Sequence, residues 1–379
     1  MRNIPEGLYS IKGSKFEAME LPVIREVRGK EWIAFGNDNL FPQELVNLYD
    51  TSAMNHTCID AIKDGIVGEG IVEWGEEYIN ADGETINEVF DKIALDYTLY
   101  GAYTLNLVWN KEGTRIAEIY HLPCANVRSG KPDEEDNINS YWYSSDWSQI
   151  RKYKPVEYAA FSVTDTKGDN ASQIYYCKNY TPGNEVYSLP SYIGGVNDIQ
   201  LDARISRFHN ANISNGLAPS MFVQFRNGVP NPEERRDIYR EIEDTFTGED
   251  NAGRFFLAFS EPGKELQVTP IENANDEYYI TLETRVQSRI LSAFRISSPL
   301  LLGIHASGTG FSSNADEIIT AYSHFMNTVV LPKQKKILRS FGYMLNLYGL
   351  NVKLEIEPTP MLIGTDADDP AVEENITID

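Results

Sequence analysis

The chain has 379 residues, of which 42% are hydrophobic and 23% charged. That is an ordinary globular composition with ample material for a core, in one large domain or two to three modest ones. Asp and Glu number 56 against 33 Lys and Arg, and the resulting formal charge of −23 repels a phosphate backbone, which argues against groove-reading or sequence-specific DNA binding. Three widely spaced cysteines (Cys58, Cys124, Cys177) without a CxxC pair exclude a disulfide scaffold or zinc knuckle and point to reduced thiols in a cytoplasm. The first residues lack the apolar run of a signal peptide, and no stretch approaches the roughly 18 uninterrupted apolar residues of a membrane span.

In chain order, residues 1–40 read as irregular except for a short strand at 32–35. Phe41 opens a helix with Pro42 in its first turn, where a missing N–H costs nothing. Thr51 or Ser52 opens a second helix with Ala53, Cys58, Ile59 and Ile62 on one face. It is expected to stop before Gly65, with 66–72 becoming a strand. A third helix spans about 84–100, its apolar residues recurring every three or four positions. Residues 102–109 and 115–120 alternate like paired strands, and 121–190 is β-rich and turn-rich, with candidate strands at 141–143 and 158–163. The 22 tyrosines and 16 phenylalanines fit either ordinary β structure or contacts with neighbouring chains.

From 194 the pattern changes. A polar helix at 195–214 carries Val196, Ile199, Ala203, Ile205 and Phe208. A second, at 276–296, carries Tyr279, Leu282, Val286, Ile290 and Ala293. Each stripe is narrow, so each helix needs neighbours. Between them lies a strand–helix–strand insert: strand 219–225, a helix opening at 231–234, and strand 254–259. Residues 303–314 form a flexible loop by composition, and Ser313 starts a helix over 314–347. Pro332 falls inside that helix, removes an i→i−4 bond and is expected to kink it. Residues 355–379 hold eight acids and no base and read as a short strand followed by a disordered acidic tail.

Catalytic constellations are sparse. The five histidines (His56, His121, His209, His305, His324) never stand at chelating spacing, and His56 and His121 read as core or turn residues. There is no GxSxG, no Walker-type loop, and no GxGxxG after a strand. Gly308-Thr309-Gly310 lacks the lysine and the preceding strand that a phosphate cradle needs. Adjacent acids such as Glu233/Glu234 arise from composition, and none is singled out by an apolar wall. No catalytic residue, metal or cofactor is expected.

Several separate stretches carry a resemblance. They are Gly36-Asn37-Asp38-Asn39-Leu40-Phe41-Pro42; Ile62-Lys63-Asp64-Gly65-Ile66-Val67-Gly68-Glu69-Gly70; Asn215-Gly216-Leu217-Ala218-Pro219; and Thr247-Gly248 with Asn251-Ala252-Gly253-Arg254. Ser298-Pro299-Leu300-Leu301-Leu302-Gly303, Phe311-Ser312-Ser313-Asn314 and Leu331-Pro332 complete the series. In this order the chain resembles the portal proteins (head-to-tail connectors) of tailed bacteriophages, long-tailed phage type, over about residues 36–347. It departs from them at Ile296-Ser297-Ser298-Pro299, where a hydrophobic-Pro pair is usual, and in its short C-terminal portion.

The resemblance implies an α+β, non-enzymatic subunit with an α/β wing, a two-helix stem, a small α/β clip and a long kinked helix. By position, 1–193 would be wing, 194–216 and 273–297 stem, 217–272 clip, 298–313 tunnel loop, 314–347 kinked wing helix, and 348–379 a short crown or acidic tail. The implied function is a closed ring, a dodecamer, at the capsid vertex of the virion. It would be assembled in the host bacterial cytoplasm, and double-stranded DNA would pass through it non-specifically during packaging and ejection. Its partners would be itself, the major capsid protein, the large terminase and head-completion adaptors, with no membrane. His305, Ser307, Gly308, Thr309, Gly310 and Phe311 would face the channel; Asn231, Glu233, Glu234, Arg235, Asp250 and Arg254 would dock terminase or adaptor; Pro332 would mark the kink. The alternatives are an acidic soluble carboxylate-dependent hydrolase, or another phage head–tail ring component.

Overall fold

The computed structural model describes residues 19, 21–214, 221–225, 233, 255–259, 276–304, 315–350 and 353–358. A short antiparallel pair, β1 (Ile24–Glu26) and β2 (Ile33–Phe35), precedes three helices: α1 (Phe41–Thr51), α2 (Ala53–Val67) and α3 (Ile86–Tyr100). Local chemistry fixes their starts. Pro42 sits in the first turn of α1, and Ser52 caps α2 by accepting from the Asn55 N–H. Thr85 and Glu88 form a reciprocal capping box on α3.

A six-stranded sheet follows, built from β3 (Ala102–Trp109), β4 (Ile116–Leu122), β5 (Val127–Ser129), β6 (Ser140–Tyr143), β7 (Val156–Ala160) and β8 (Ser172–Lys178). Its spatial order is β4-β3-β8-β7-β6-β5. All neighbours are antiparallel except β7 and β8, which pair in parallel only through Ala159–Gln173 and Ala160–Ile174. The sequence reading had no strand at 172–178, although β8 joins the two halves of the sheet. Ala102, Tyr103, Leu105 and Leu107 of β3 are fully buried and pack with Ile59, Ile62, Phe90, Ile93 and Phe341 in one continuous core. Burial on this scale supplies the main favourable term in folding.

The remaining helices are α4 (Val196–Ser214), α5 (Asp276–Phe294), α6 (Ala315–Phe325) and α7 (Leu331–Tyr348). Between α4 and α5 in sequence, β9 (Met221–Phe225) and β10 (Phe255–Phe259) pair in parallel over five residues.

Three expectations are corrected. Helix α2 does not stop before Gly65. It continues to Val67, and a Cβ on Gly65 would lie 3.0 Å from a Val330 methyl, so glycine is there to let two helical segments meet. Residues 66–72 are accordingly not a strand. Gly68 ends α2 at φ +56, where a Cβ would lie 2.4 Å from the Glu357 carbonyl. The Ile71–Ile356 bridge, with hydrogen bonds from the Val72 N–H to Glu355 O and from the Glu357 N–H to Gly70 O, ties the chain's late segment to this turn. The second candidate strand ends at Ala160, short of 163.

Candidate functional site

The feature with the strongest functional geometry is the α4/α5 pair. Asp198 lies 3.4 Å from Arg289, and His209 lies 3.4 Å from Glu283. Position rises along α4 as it falls along α5, so the helices are antiparallel. Close packing fixes the base: a Cβ on Gly195 would come within 2.5 Å of the Ala293 Cβ, and Tyr192 stacks on Phe294 with ring centres 4.5 Å apart. Ser52 at the start of α2 donates to Asp202 across 2.6 Å, which locks the pair to the core.

Burial follows position along the pair. Val196, Ile199, Ala203 and Ile205 of α4, and Val286, Ile290, Leu291 and Phe294 of α5, are buried. Farther out, Phe208 is 45% exposed and Ile280 is 62% exposed. Nineteen helical residues rise about 27 Å, so the segment containing β9 and β10 departs from the end of the pair remote from the core. Single exposed apolar residues are common on monomers; these two both lie on the outer half of a two-helix projection.

Of the expected docking residues, Glu233 is helical and exposed. Asn231, Glu234, Arg235, Asp250 and Arg254 lie outside the described residues. So do His305, Ser307, Gly308, Thr309, Gly310 and Phe311. The acidic tail beyond 358 lies outside them as well.

The flanks of 305–314 are described. Ser298 caps a 3₁₀ turn over Pro299–Leu302 that closes on left-handed Gly303. After the gap comes α6, then a π-helical turn at Met326–Val330, then Pro332 in the first turn of α7. Pro332 has no N–H to offer the Thr328 carbonyl, and its ring crowds that carbonyl. The backbone answers by shifting register: the Leu331 N–H bonds Met326 O, five residues back. Gly65 of α2 packs directly on this turn, at Val330 and Met326.

Sequence reasoning missed Arg128. Its guanidinium is fully buried and donates to Asn39 Oδ1 (2.8 Å), Asn39 O (2.7 Å), Gln43 Oε1 (3.1 Å), Ala125 O (2.9 Å) and Val127 O (2.8 Å), with the Trp147 ring 4.9 Å away. Every acceptor is neutral, and burial pulls its pKa down to about 10. Asn39 has φ +67, and its Oδ1 also accepts the Phe35 N–H. The Gly36–Pro42 motif is therefore the loop that holds this arginine. A lone arginine in a turn-rich stretch gives no local signal of such a role.

The described residues offer little to chemistry. His121 Nε2 lies 3.0 Å from Asp96 Oδ2, both one-tenth exposed, and that same oxygen accepts the Cys124 N–H. Burial, then the Asp96 charge, holds the Cys124 thiol well above its ordinary value, so it stays protonated and inert. This is a latch between α3 and the β4 end. His56 stacks on Tyr49 at 4.2 Å. A cavity of about 450 Å³ lined by Gly36, Asp38, Phe41, Glu44, Gln200 and Arg204, and one of about 360 Å³ beside Ser191, Asp198 and Arg289, contain no histidine or cysteine. Among the described residues no three His, Cys, Asp or Glu side chains gather as a metal set, and no helix is long and apolar enough to cross a membrane.

The described residues form a mixed α/β body carrying an antiparallel helical projection. The phage portal protein family model matches residues 57–361, and the chain belongs to that family, whose members are structural and non-enzymatic. The fold is similar to a chain of the virion of a native gene transfer agent particle (TM-score 0.54, 18% identity, 84% of each chain covered). It is also similar to one from the neck of that native particle computed with C12 symmetry (TM-score 0.54, 19% identity, 84% of each). An uncharacterized protein of Rickettsia bellii (strain RML369-C) is 24% identical over 235 residues, 61% of this chain and 56% of that protein. One of Rickettsia felis (strain ATCC VR-1525 / URRWXCal2) is 27% identical over 195 residues, 51% and 46% respectively. The chain spans about half the length of these relatives.

Proposed function

We propose that the chain is the subunit of a closed portal ring, twelvefold, at one vertex of a tailed-phage-type particle, through which double-stranded DNA passes in packaging and ejection. The observation that carries this reading is the α4/α5 projection, buried at its base and with Phe208 and Ile280 exposed on its otherwise polar outer half. A head-to-tail contact repeated around an axis closes into a ring when its rotation closes, and it covers such faces. The C12 symmetry of the similar neck chain supports the twelvefold count.

In this reading α4 and α5 are the stem, and 217–272 with β9 and β10 are the clip that docks terminase and later the adaptors. Residues 1–193 form the wing against the capsid protein, and 298–313 the tunnel loop. Assembly takes place in the host bacterial cytoplasm, and the product resides in the virion. The acidic surface lets DNA slide, since no Lys or Arg in the loop releases counterions from its phosphates.

The test introduces Ser307→Lys with Thr309→Lys. Slowed DNA translocation or hindered ejection from rings of normal size is expected. Unchanged packaging and ejection would remove the loop from the channel.

A further inference from the structure

Helix α7 is out of character with the chain. Between Leu331 and Tyr348 it carries Lys333, Lys335, Lys336 and Arg339 and no acid, in a protein with 56 acids and 33 bases. Lys333 and Lys336 each place an ammonium 5.9 Å from the centre of the Tyr97 ring. Lys333 Nζ donates to Ser191 Oγ at 3.1 Å; Lys336 Nζ donates to Lys178 O at 3.1 Å and Asn179 Oδ1 at 2.6 Å. All these acceptors are neutral. Arg295 adds its charge to the group, and burial together with Arg295 pulls the Lys333 amine down to about 8. Among the described residues neither lysine nor Arg295 has a carboxylate within salt-bridge distance. The nearby Lys178 feels Glu185, but its own amine bonds the Glu185 and Val186 carbonyls.

A different side of the same helical layer is acidic. Asp60 accepts from the Tyr49 hydroxyl at 2.8 Å. Burial, that bond, and the charges of Asp60, Asp50 and Asp64 hold the hydroxyl above its ordinary pKa. Asp64 is 67% exposed, and Asp91 of α3 joins it around Lys63. Asp91 and Tyr97 are six residues apart on α3, a net rotation of about 240°. One faces α2 and the acids while the other faces α7 and the lysines, so the two charge groups point to different sides of the body.

We infer that these groups are the two halves of one contact between copies of this chain: the Lys333/Lys336/Arg295 cluster of one copy receives the Asp60/Asp64 carboxylates of the next. The partner is a second copy because a chain this acidic presents carboxylates to whatever neighbours it. Duplex DNA fits less well, since a chain of formal charge −23 repels its phosphate backbone as a whole. The inference rests on the ring reading and gives that ring its polarity.

The experiment is a charge exchange read by light scattering and negative-stain imaging, with thermal unfolding as the check on folding. Lys333→Glu with Lys336→Glu sets acid against acid, and Asp60→Lys with Asp64→Lys sets base against base. Each is expected to lower the assembled fraction at least tenfold, and mixing the two proteins is expected to restore rings. If the lysine variant fails to fold, the aspartate variant, with Asp64 exposed and Asp60 partly exposed, decides alone through its assembled fraction once thermal unfolding shows it folded. Rings of wild-type size from both folded variants, or folded variants that fail to complement on mixing, would overturn the inference. So would intact rings of the lysine variant with weakened binding of duplex DNA, which would assign the cluster to nucleic acid. A wild-type chain that remains monomeric would instead overturn the ring reading itself.

Discussion

At the scale of single residues, two buried or half-buried cations set the energetics. Arg128 makes five hydrogen bonds to neutral acceptors from a fully buried position. Truncating it leaves buried acceptors unpaired at about 1–3 kcal/mol each. Arg128→Met is therefore expected to lower unfolding free energy by about 3 kcal/mol or more in denaturant titration, and a loss under about 1 kcal/mol would contradict the clamp. Lys333 acts in the opposite sense. Its folded-state pKa is depressed to about 8 from 10.5, so the unfolded chain binds more protons between those values. Stability of the isolated subunit should rise with pH through that window, and the rise should shrink in Lys333→Met. Neither residue was visible beforehand, because the sequence marks a charge without marking what encloses it.

At the scale of elements, local signals explain most of what the sequence made legible. Pro42 in the first turn, Ser52 as a cap, and the alternation across 102–109 each act within a few residues. The errors arose where a distant partner decides. Gly65 reads as a helix stop, yet it is glycine because Val330, 265 positions later, packs on it. Pro332 acts locally: it marks the place where the helix is interrupted, as a π turn over Met326–Val330 followed by the first turn of α7. Strand β8 escaped because it is held by a partner about seventy positions earlier, pairing antiparallel with β3 from Ala102–Lys178 to Val108–Ser172.

One element-level prediction follows from the α2 terminus. Gly68→Ala combines a left-handed backbone with a Cβ 2.4 Å from Glu357 O. It should cost about 2 kcal/mol or more and raise amide exchange at Val72 and Glu357, whose N–H groups bridge this junction. Unchanged exchange there would show that the late segment does not depend on the turn.

At the scale of the whole molecule, the α4/α5 projection links fold to assembly. Its base is welded to the core through Ser52–Asp202 and Tyr192–Phe294, while Phe208 and Ile280 stand exposed on its outer half. Replacing both with Asp should leave the subunit's melting temperature nearly unchanged, as surface substitutions usually do within about 0.5 kcal/mol. The same change should abolish higher assembly in light scattering. Retained assembly would mean that the α4/α5 projections do not meet through these faces.

The most direct measurement for the account as a whole is the mass and outline of the purified chain, taken together by light scattering and negative stain. Annular particles with a central hole, at about twelve times the 42.8 kDa subunit, are the expected result. A monodisperse monomer at micromolar concentration, with no rings in the images, would contradict it.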